Sequence, residues 1–284
     1  MVSNRKEKYW QKSLEISQLA VTSNSLQQLS TECHKLLFGN DLFYEYRKIK
    51  STNFKLSSVI GPKLNPFLPW DRNLQIDMIG NDHVLILNKF PVQTGHMLLI
   101  TSSWKPQDGW LDSSDFKSLL SIELDTSGLW FFNSGPKAGA SQTHRHLQLL
   151  RRTDLEMICP FESWYKEPAT STFSESSLLS KNIFVSTRNN DRECDLYLNY
   201  LELTSMAGLG SPKSFFKPLF PYNLLISPSW IVLIRRSKEF AHGYGLNALA
   251  FAGYFLETAH SDEVWFKENG PISLLEDVVD NNLF

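Results

Sequence analysis

Two of the seven histidines in this 284-residue chain, His144 and His146, sit two positions apart, and Gln148 follows at the same step. Successive side chains of a β-strand point to opposite faces. A strand over residues 143–150 therefore projects His144, His146 and Gln148 from one face and Arg145, Leu147 and Leu149 from the other. Just upstream runs a loop of small residues, Gly135, Ala138, Gly139, Ala140 and Ser141. Such a loop lets backbone N–H groups approach an anion closely. Two imidazoles and an amide on one face, fed by that loop, form a place to handle a phosphate. Two blander readings stand beside it. A His-x-His pair can sit idle on a solvated face, or it can bind a metal. Zinc needs a third and fourth ligand, and no CxxC or HExxH supplies them.

The elements that must position these residues are partly legible. Residues 83–90 and 95–101 read as two strands joined by the Pro91–Gly95 connection, a hairpin. Residues 111–125 repeat apolar side chains as a helix does, with Ser113 or Ser114 as cap and Asp115 suited to the positive end of the helix. Residues 128–133 form an aromatic strand leading into the loop. Before all this, the leucine spacings of residues 5–37 predict helix, with a second helix capped by Ser23 or Ser25. Residues 41–55 read as extended. Residues 60–71, dense in Pro and Gly, read as a connector or as a rigid loop presenting Lys63 or Asn65. Residues 160–190 include a small polar stretch expected to be a mobile loop. Residues 195–207 are helix or strand, 222–226 and 230–235 a second hairpin, and 246–260 helix-like. The two hairpins are faintly similar; they are either a degenerate duplication or two ordinary hairpins.

Composition narrows the function class. No run of about 18 uncharged apolar residues is present to span a bilayer, and the N-terminus lacks the apolar core of a secretory signal. Three widely spaced cysteines, Cys33, Cys159 and Cys194, do not make a disulfide framework and fit a reducing cytoplasm. A net charge of −2 argues against a bulk nucleic-acid binder.

Asn133, residues 139–142 and His144-Arg145-His146-Leu147-Gln148 resemble the signature of the diadenosine tetraphosphate phosphorylases, also called ATP adenylyltransferases. This family belongs to the histidine-triad superfamily, in whose transferase branches the third histidine is glutamine. The block NKFPVQTGHMLLIT and the C-terminal run from Tyr222 are similar to the same family. The implied fold is α+β: a histidine-triad-like antiparallel sheet with flanking helices, elaborated by a C-terminal region packed on the same core. Residues 1–160 would hold the triad-like core and residues 161–284 the C-terminal region, as one compact unit.

The resemblance also implies chemistry. His146 would attack the α-phosphorus of a dinucleoside polyphosphate, expel ATP and hold AMP; inorganic phosphate would then release ADP. Gln148 would donate to a non-bridging oxygen, and His144 would orient His146 or the leaving oxygen. Gly139, Ala140, Ser141 and Gln142 would hold the same phosphate. Asn133 would face the nucleoside, Asn88 the ribose, Lys63 and Lys89 the polyphosphate, and Asn247 would approach the substrate. No organic cofactor is implied, only a divalent cation such as Mg2+ arriving with the polyphosphate. The partners would be dinucleoside polyphosphate, ATP, ADP and phosphate, without nucleic acid or membrane, and the enzyme would be a cytoplasmic monomer. A lysine usual in the family is replaced by Thr258. A hexose-phosphate uridylyltransferase-like enzyme shares His-x-His-x-Gln, but its usual His-Pro-His is His-Arg-His here. An inactive nucleotide-binding protein is the remaining alternative.

Overall fold

The computed structural model describes residues 5–39, 42–50, 65–152, 157–166, 177–188 and 193–280. The chain opens with helix α1 (Lys8–Thr22), then strands β1 (Thr31–Phe38) and β2 (Leu42–Ile49). Next come β3 (Gln75–Ile79), β4 (His83–Leu87), β5 (Met97–Thr101), α2 (Ser113–Glu123), β6 (Leu129–Asn133) and β7 (His146–Leu150). The remainder holds α3 (Ser163–Lys166), α4 (Leu178–Asn182), β8 (Ile183–Thr187), α5 (Glu193–Met206), β9 (Tyr222–Ile226) and β10 (Trp230–Arg235). It ends with β11 (Phe240–Ala241), β12 (Tyr244–Gly245), α6 (Ala248–Phe251), β13 (Tyr254–Glu257) and α7 (Glu263–Glu276).

Eight strands form one antiparallel sheet in the order β3-β4-β5-β7-β6-β9-β10-β8. Its central strands are buried on both faces, so they read as nearly continuous apolar runs whose alternation only the fold reveals. Trp130, Phe132, Leu147, Leu149, Leu224 and Leu233 pack in one core with Phe116 and Leu119 of α2 and Leu196 and Leu203 of α5. Leu129, Phe131, Leu150, Leu225, Val232 and Ile234 pack in a second core with α3, α6, α7 and a small sheet. That small sheet is β1-β2-β13, with β13 parallel to β2. The fold is thus α+β, a large antiparallel sheet with helices on both sides, and the C-terminal region extends the same sheet. The hairpins β4–β5 and β9–β10 flank the central β7–β6 pair. Among the described residues no helix is long and apolar enough to cross a membrane.

Several local expectations are corrected. The second helix expected before residue 37 is strand β1, paired along its length with β2. Residues 246–260 are not one helix: α6 ends at Phe251, Gly253 takes φ 91°, and β13 follows. A Cβ on Gly253 would lie 2.7 Å from Pro160 Cβ, so both the left-handed turn and the close approach call for glycine. The cap of α2 is Asp112 and not a serine; its carboxylate accepts from Ser114 N–H while Asp115 answers in a reciprocal capping box. Strand β8, which follows the small polar stretch read as a loop and for which no strand was expected, is the far edge of the large sheet. Residues 168–172 and 174–176 of that stretch lie outside the described residues.

Candidate active site

The strand that bears the signature begins at His146; His144 precedes it in an isolated bridge to Pro106. The two histidines are held quite differently. His146 Nδ1 lies 2.8 Å from the carbonyl oxygen of His144, and a carbonyl only accepts, so the proton sits on Nδ1. Nε2 is left as a lone pair with no partner among the described residues. His144 is saturated by protein: Asn65 Nδ2 is 2.9 Å from its Nδ1, and its Nε2 is 2.9 Å from both the carbonyl and the hydroxyl oxygen of Thr101. Both rings flank Phe67, at centroid distances of 5.6 and 5.4 Å. His144 therefore orients its neighbour through its backbone carbonyl, and its ring does not line the cavity described below.

At residue 131 the β6–β7 ladder stops and the strands part. The side chain of Gln107 fills the gap. Its Nε2 donates to Asn133 O at 2.7 Å, and its Oε1 accepts from His146 N–H at 2.8 Å. The loop between the strands turns on Gly135 and Gly139, at φ 108° and 85°. A Cβ on Gly139 would lie 2.6 Å from Asn247 Cβ, so this glycine also lets the C-terminal segment close on the loop. Within the loop, the N–H groups of Ala138 and Ala140 donate to Gly135 O and that of Gly139 to Pro136 O. Backbone donors were expected across residues 139–142, but those of Gly139 and Ala140 are spent inside the loop. The N–H groups of Ser141 and Gln142 and the Ser141 hydroxyl make no hydrogen bond among the described residues.

Asn133 ends β6 with its Oδ1 accepting twice, from Asn223 Nδ2 at 2.8 Å and Ala248 N–H at 2.9 Å. Only its NH₂ remains to meet a ligand. Asn223 spends its other amide hydrogen on Ala138 O at 2.8 Å and accepts from the buried Arg236 guanidinium. The C-terminal half thereby sets both the loop and Asn133.

A cavity of about 870 Å³ lies against this face, between the large sheet and the β2–β13 wall. His146, Gln148, Asn133, Gly139, Ser141, Gln142, Asn88, Lys89 and Asn247 line it, and so do Phe67, Trp70, Phe131, Tyr254 and Arg47. Aromatic walls with a few converging polar groups suit a ligand with flat rings and a charged middle. Ala140 is absent from the lining; it is a buried residue of the loop. Lys63 lies outside the described residues. Thr258 follows β13 and does not line the cavity; its N–H donates to Ser261 Oγ at 3.0 Å.

A family model described as the Ap4A phosphorylase N-terminal domain matches residues 2–163, and one described as the ATP adenylyltransferase C-terminal domain matches residues 159–279. This chain belongs to the Ap4A phosphorylase family. Among curated relatives, Protein APA1 of Saccharomyces cerevisiae is 29% identical over 219 residues, spanning 69% of this chain and 67% of that protein. Diadenosine 5',5'''-P1,P4-tetraphosphate phosphorylase 2 of the same yeast is 29% identical over 207 residues, 61% of either chain. The chain thus aligns with about two thirds or less of these relatives' length. Among solved structures, yeast Ap4A phosphorylase Apa2 in complex with AMP superposes with a TM-score of 0.74 at 22% identity, covering 98% of both chains. Its complex with Ap4A gives 0.72 at 23%, covering 96% of both. At that identity the likeness establishes the fold.

Within this family frame, the fold adds site residues that spacing did not mark. His96, Gln107, Thr101 and Asn223 all bond residues of the signature or its loop. His96 alone had a signal, as one of few histidines and placed at the head of a strand. Burial holds both His96 and His146 down to about 4, far below the ordinary imidazole value. Unfolded imidazoles titrate near 6.5, so the unfolded chain binds these protons first as pH falls. Stability is therefore unaffected by these two groups above about pH 6.5 and falls as the pH drops toward 4, by on the order of 3 kcal/mol for each. Urea denaturation at steps from pH 7 to 4.5 should show a falling midpoint, with a shallower fall for His146→Ala. A midpoint that stays level across that range would contradict the burial of neutral imidazoles.

Proposed function

We propose that the chain catalyses the reversible phosphorolysis of diadenosine tetraphosphate to ATP and ADP through an adenylyl-histidine. The observation that carries this reading is the state of His146. Its Nδ1–H is committed to a carbonyl, and its Nε2 lone pair belongs to a side chain lining a cavity that also presents Gln148 and Ser141. A neutral imidazole is a competent nucleophile. Nε2 attacks the α-phosphorus, the bond from that phosphorus to the bridging oxygen breaks, and ATP leaves. An oxygen of inorganic phosphate then attacks the same phosphorus, the N–P bond breaks, and ADP leaves with His146 restored.

The rest of the wall stabilises charge. The Gln148 amide nitrogen, the Ser141 hydroxyl and the N–H groups of Ser141 and Gln142 would donate to the transferred phosphoryl group, and Asn133 would offer its NH₂ on the nucleoside side. Arg47 and Lys89 are the cationic side chains lining the cavity among the described residues. A divalent cation such as Mg2+ would neutralise polyphosphate charge. Among the described residues no group of three or more His, Cys, Asp or Glu is arranged to hold a metal, and Asp71 is the one carboxylate in the lining. On this proposal the cation is therefore carried in by the substrate. The reading places the enzyme in the cytoplasm, where free thiols such as those of Cys33 and Cys159 persist, and takes it as a monomer.

Gln148 supports phosphate over water as the second nucleophile, because an amide cannot pass a proton as a third imidazole would. Incubation with diadenosine tetraphosphate, followed by chromatography, tests this. With phosphate present, ATP and ADP should appear in equal amounts. Without it, at most one enzyme equivalent of ATP should form. Sustained release of ATP plus AMP in phosphate-free buffer would make the protein a hydrolase.

A further inference from the structure

His96 is the histidine of the cavity that the reaction above leaves without a task. Its surroundings form a chain of hydrogen bonds whose direction can be read from one end. The backbone N–H of Phe90 donates to Asn88 Oδ1 at 3.1 Å. A backbone N–H cannot accept, so the oxygen of the Asn88 amide is fixed on that side and its nitrogen on the other. Asn88 Nδ2 faces His96 Nδ1 at 3.2 Å, which makes Nδ1 an acceptor and puts the ring proton on Nε2. Nε2 lies 3.0 Å from Gln148 Oε1 and donates to it. The Gln148 oxygen is then occupied, and its NH₂ has no partner among the described residues.

The same device occurs a second time in this chain. Phe67 N–H donates to Asn65 Oδ1 at 3.0 Å, Asn65 Nδ2 donates to His144 Nδ1 at 2.9 Å, and His144 Nε2 donates to Thr101 O at 2.9 Å. Here the far end is a backbone carbonyl, so the direction is fixed from both ends. An Asn two residues before a Phe, folded back on that residue's N–H, sets the tautomer of a histidine in each case.

We infer that His96 is a positioning residue that locks the Gln148 carboxamide with its NH₂ toward the transferred phosphoryl group. This rests on the reading of Gln148 as a phosphoryl donor. An amide without such a lock flips by half a turn at little cost, and the flipped state presents a carbonyl oxygen to phosphate oxygens. A doubly protonated His96 would confront Asn88 Nδ2 with a second donor, and burial keeps the ring neutral.

A double-mutant cycle in the full chain tests the inference, with diadenosine tetraphosphate and phosphate as substrates. His96→Phe keeps the ring that lies 5.7 Å from Phe131 and removes both nitrogens. His96→Phe and Gln148→Ala should each lower kcat by about 10²-fold, the scale of one lost transition-state donor, with little change in KM. The double variant should be no worse than Gln148→Ala alone. Losses that multiply would give His96 a merely structural role, and unchanged kcat in His96→Phe would remove its role; either overturns the inference. If Gln148→Ala itself keeps full kcat, the phosphoryl-donor reading fails first and takes the inference with it. Asn88→Asp covers the case in which His96→Phe does not fold. A carboxylate accepts at both oxygens, draws the ring proton to Nδ1 and turns the Gln148 NH₂ toward His96. Its kcat should fall below that of Asn88→Ala, and the gap should vanish in the Gln148→Ala background. A gap that persists there overturns the inference.

Discussion

His146→Ala should abolish both turnover and the adenylylated enzyme. In the proposed mechanism the variant removes the atom that takes the adenylyl group, and the neighbouring histidines cannot substitute. The ring nitrogens of His144 are engaged by Asn65 and Thr101, and those of His96 by Asn88 and Gln148. Loss of a covalent nucleophile in a concerted site costs about 10⁴-fold or more in kcat. The fold should survive. The lost side chain lines a cavity, and the main casualty is one bond to the His144 carbonyl, worth about 1–2 kcal/mol. Two measurements check this: single-turnover labelling with diadenosine tetraphosphate carrying a labelled α-phosphate, and thermal unfolding of the same sample. Trapped label on a folded His146→Ala protein would move the nucleophile elsewhere.

Arg145→Leu should lower the free energy of unfolding by about 3–5 kcal/mol, the cost of removing one partner from a buried ion pair. Arg145 is the middle residue of His-Arg-His and points away from the cavity. Its NH1 lies 3.1 Å from Asp115 Oδ2, and its NH2 3.3 Å from Pro106 O. Asp115 is fully buried, and its other oxygen is 2.9 Å from His83 Nε2. Without the guanidinium, this carboxylate remains in the interior, in the first turn of α2, with His83, itself bonded to the Ser118 hydroxyl, and the Asp112 N–H as its partners. The segment that presents Gln107 would also lose one of its ties to the signature strand, the bond from Arg145 to Pro106 O. Lys105→Ala is the control. Its contact with Asp112 is partly exposed, and such pairs contribute about 1 kcal/mol or less. Guanidinium denaturation of both variants gives the comparison. Equal, small losses would show that Asp115 finds another counter-charge. Arg145→Leu combined with Asp115→Leu should recover part of the loss, because the pair leaves together.

The two results bear on different properties of one strand. Its inward face holds the chemistry, and its outward face ties the site to α2. Period-two alternation over residues 146–150 separates these faces, which is why the signature was readable without a fold. The hairpin β4–β5, helix α2, strand β6 and hairpin β9–β10 were readable for a similar reason: each has its own period, turn or cap within a dozen residues. Strand β1 was not. Its edge position leaves most of it exposed, so no alternation distinguishes it from helix-spaced leucines, and pairing with β2 decides its state. The break at Gly253 is local, but its cause, contact with Pro160, is not.

The sequence by itself determined the neighbourhood of the proposed nucleophile: His146 and Gln148 on one strand face, a glycine-bearing loop before them, and the resemblance those residues carry. Tertiary structure decided which atoms of that neighbourhood are free to react. Gln148 is turned by His96 from 52 residues away, and Asn133 by Asn223 from 90. His146 donates its Nδ1–H to a local carbonyl, yet its backbone N–H is held by Gln107 from 39 residues away. Spacing along a chain fixes which way a side chain points, because backbone geometry is local. Which of its atoms donates, accepts or stays bare depends on the partner it meets across the fold, and no local period encodes that partner.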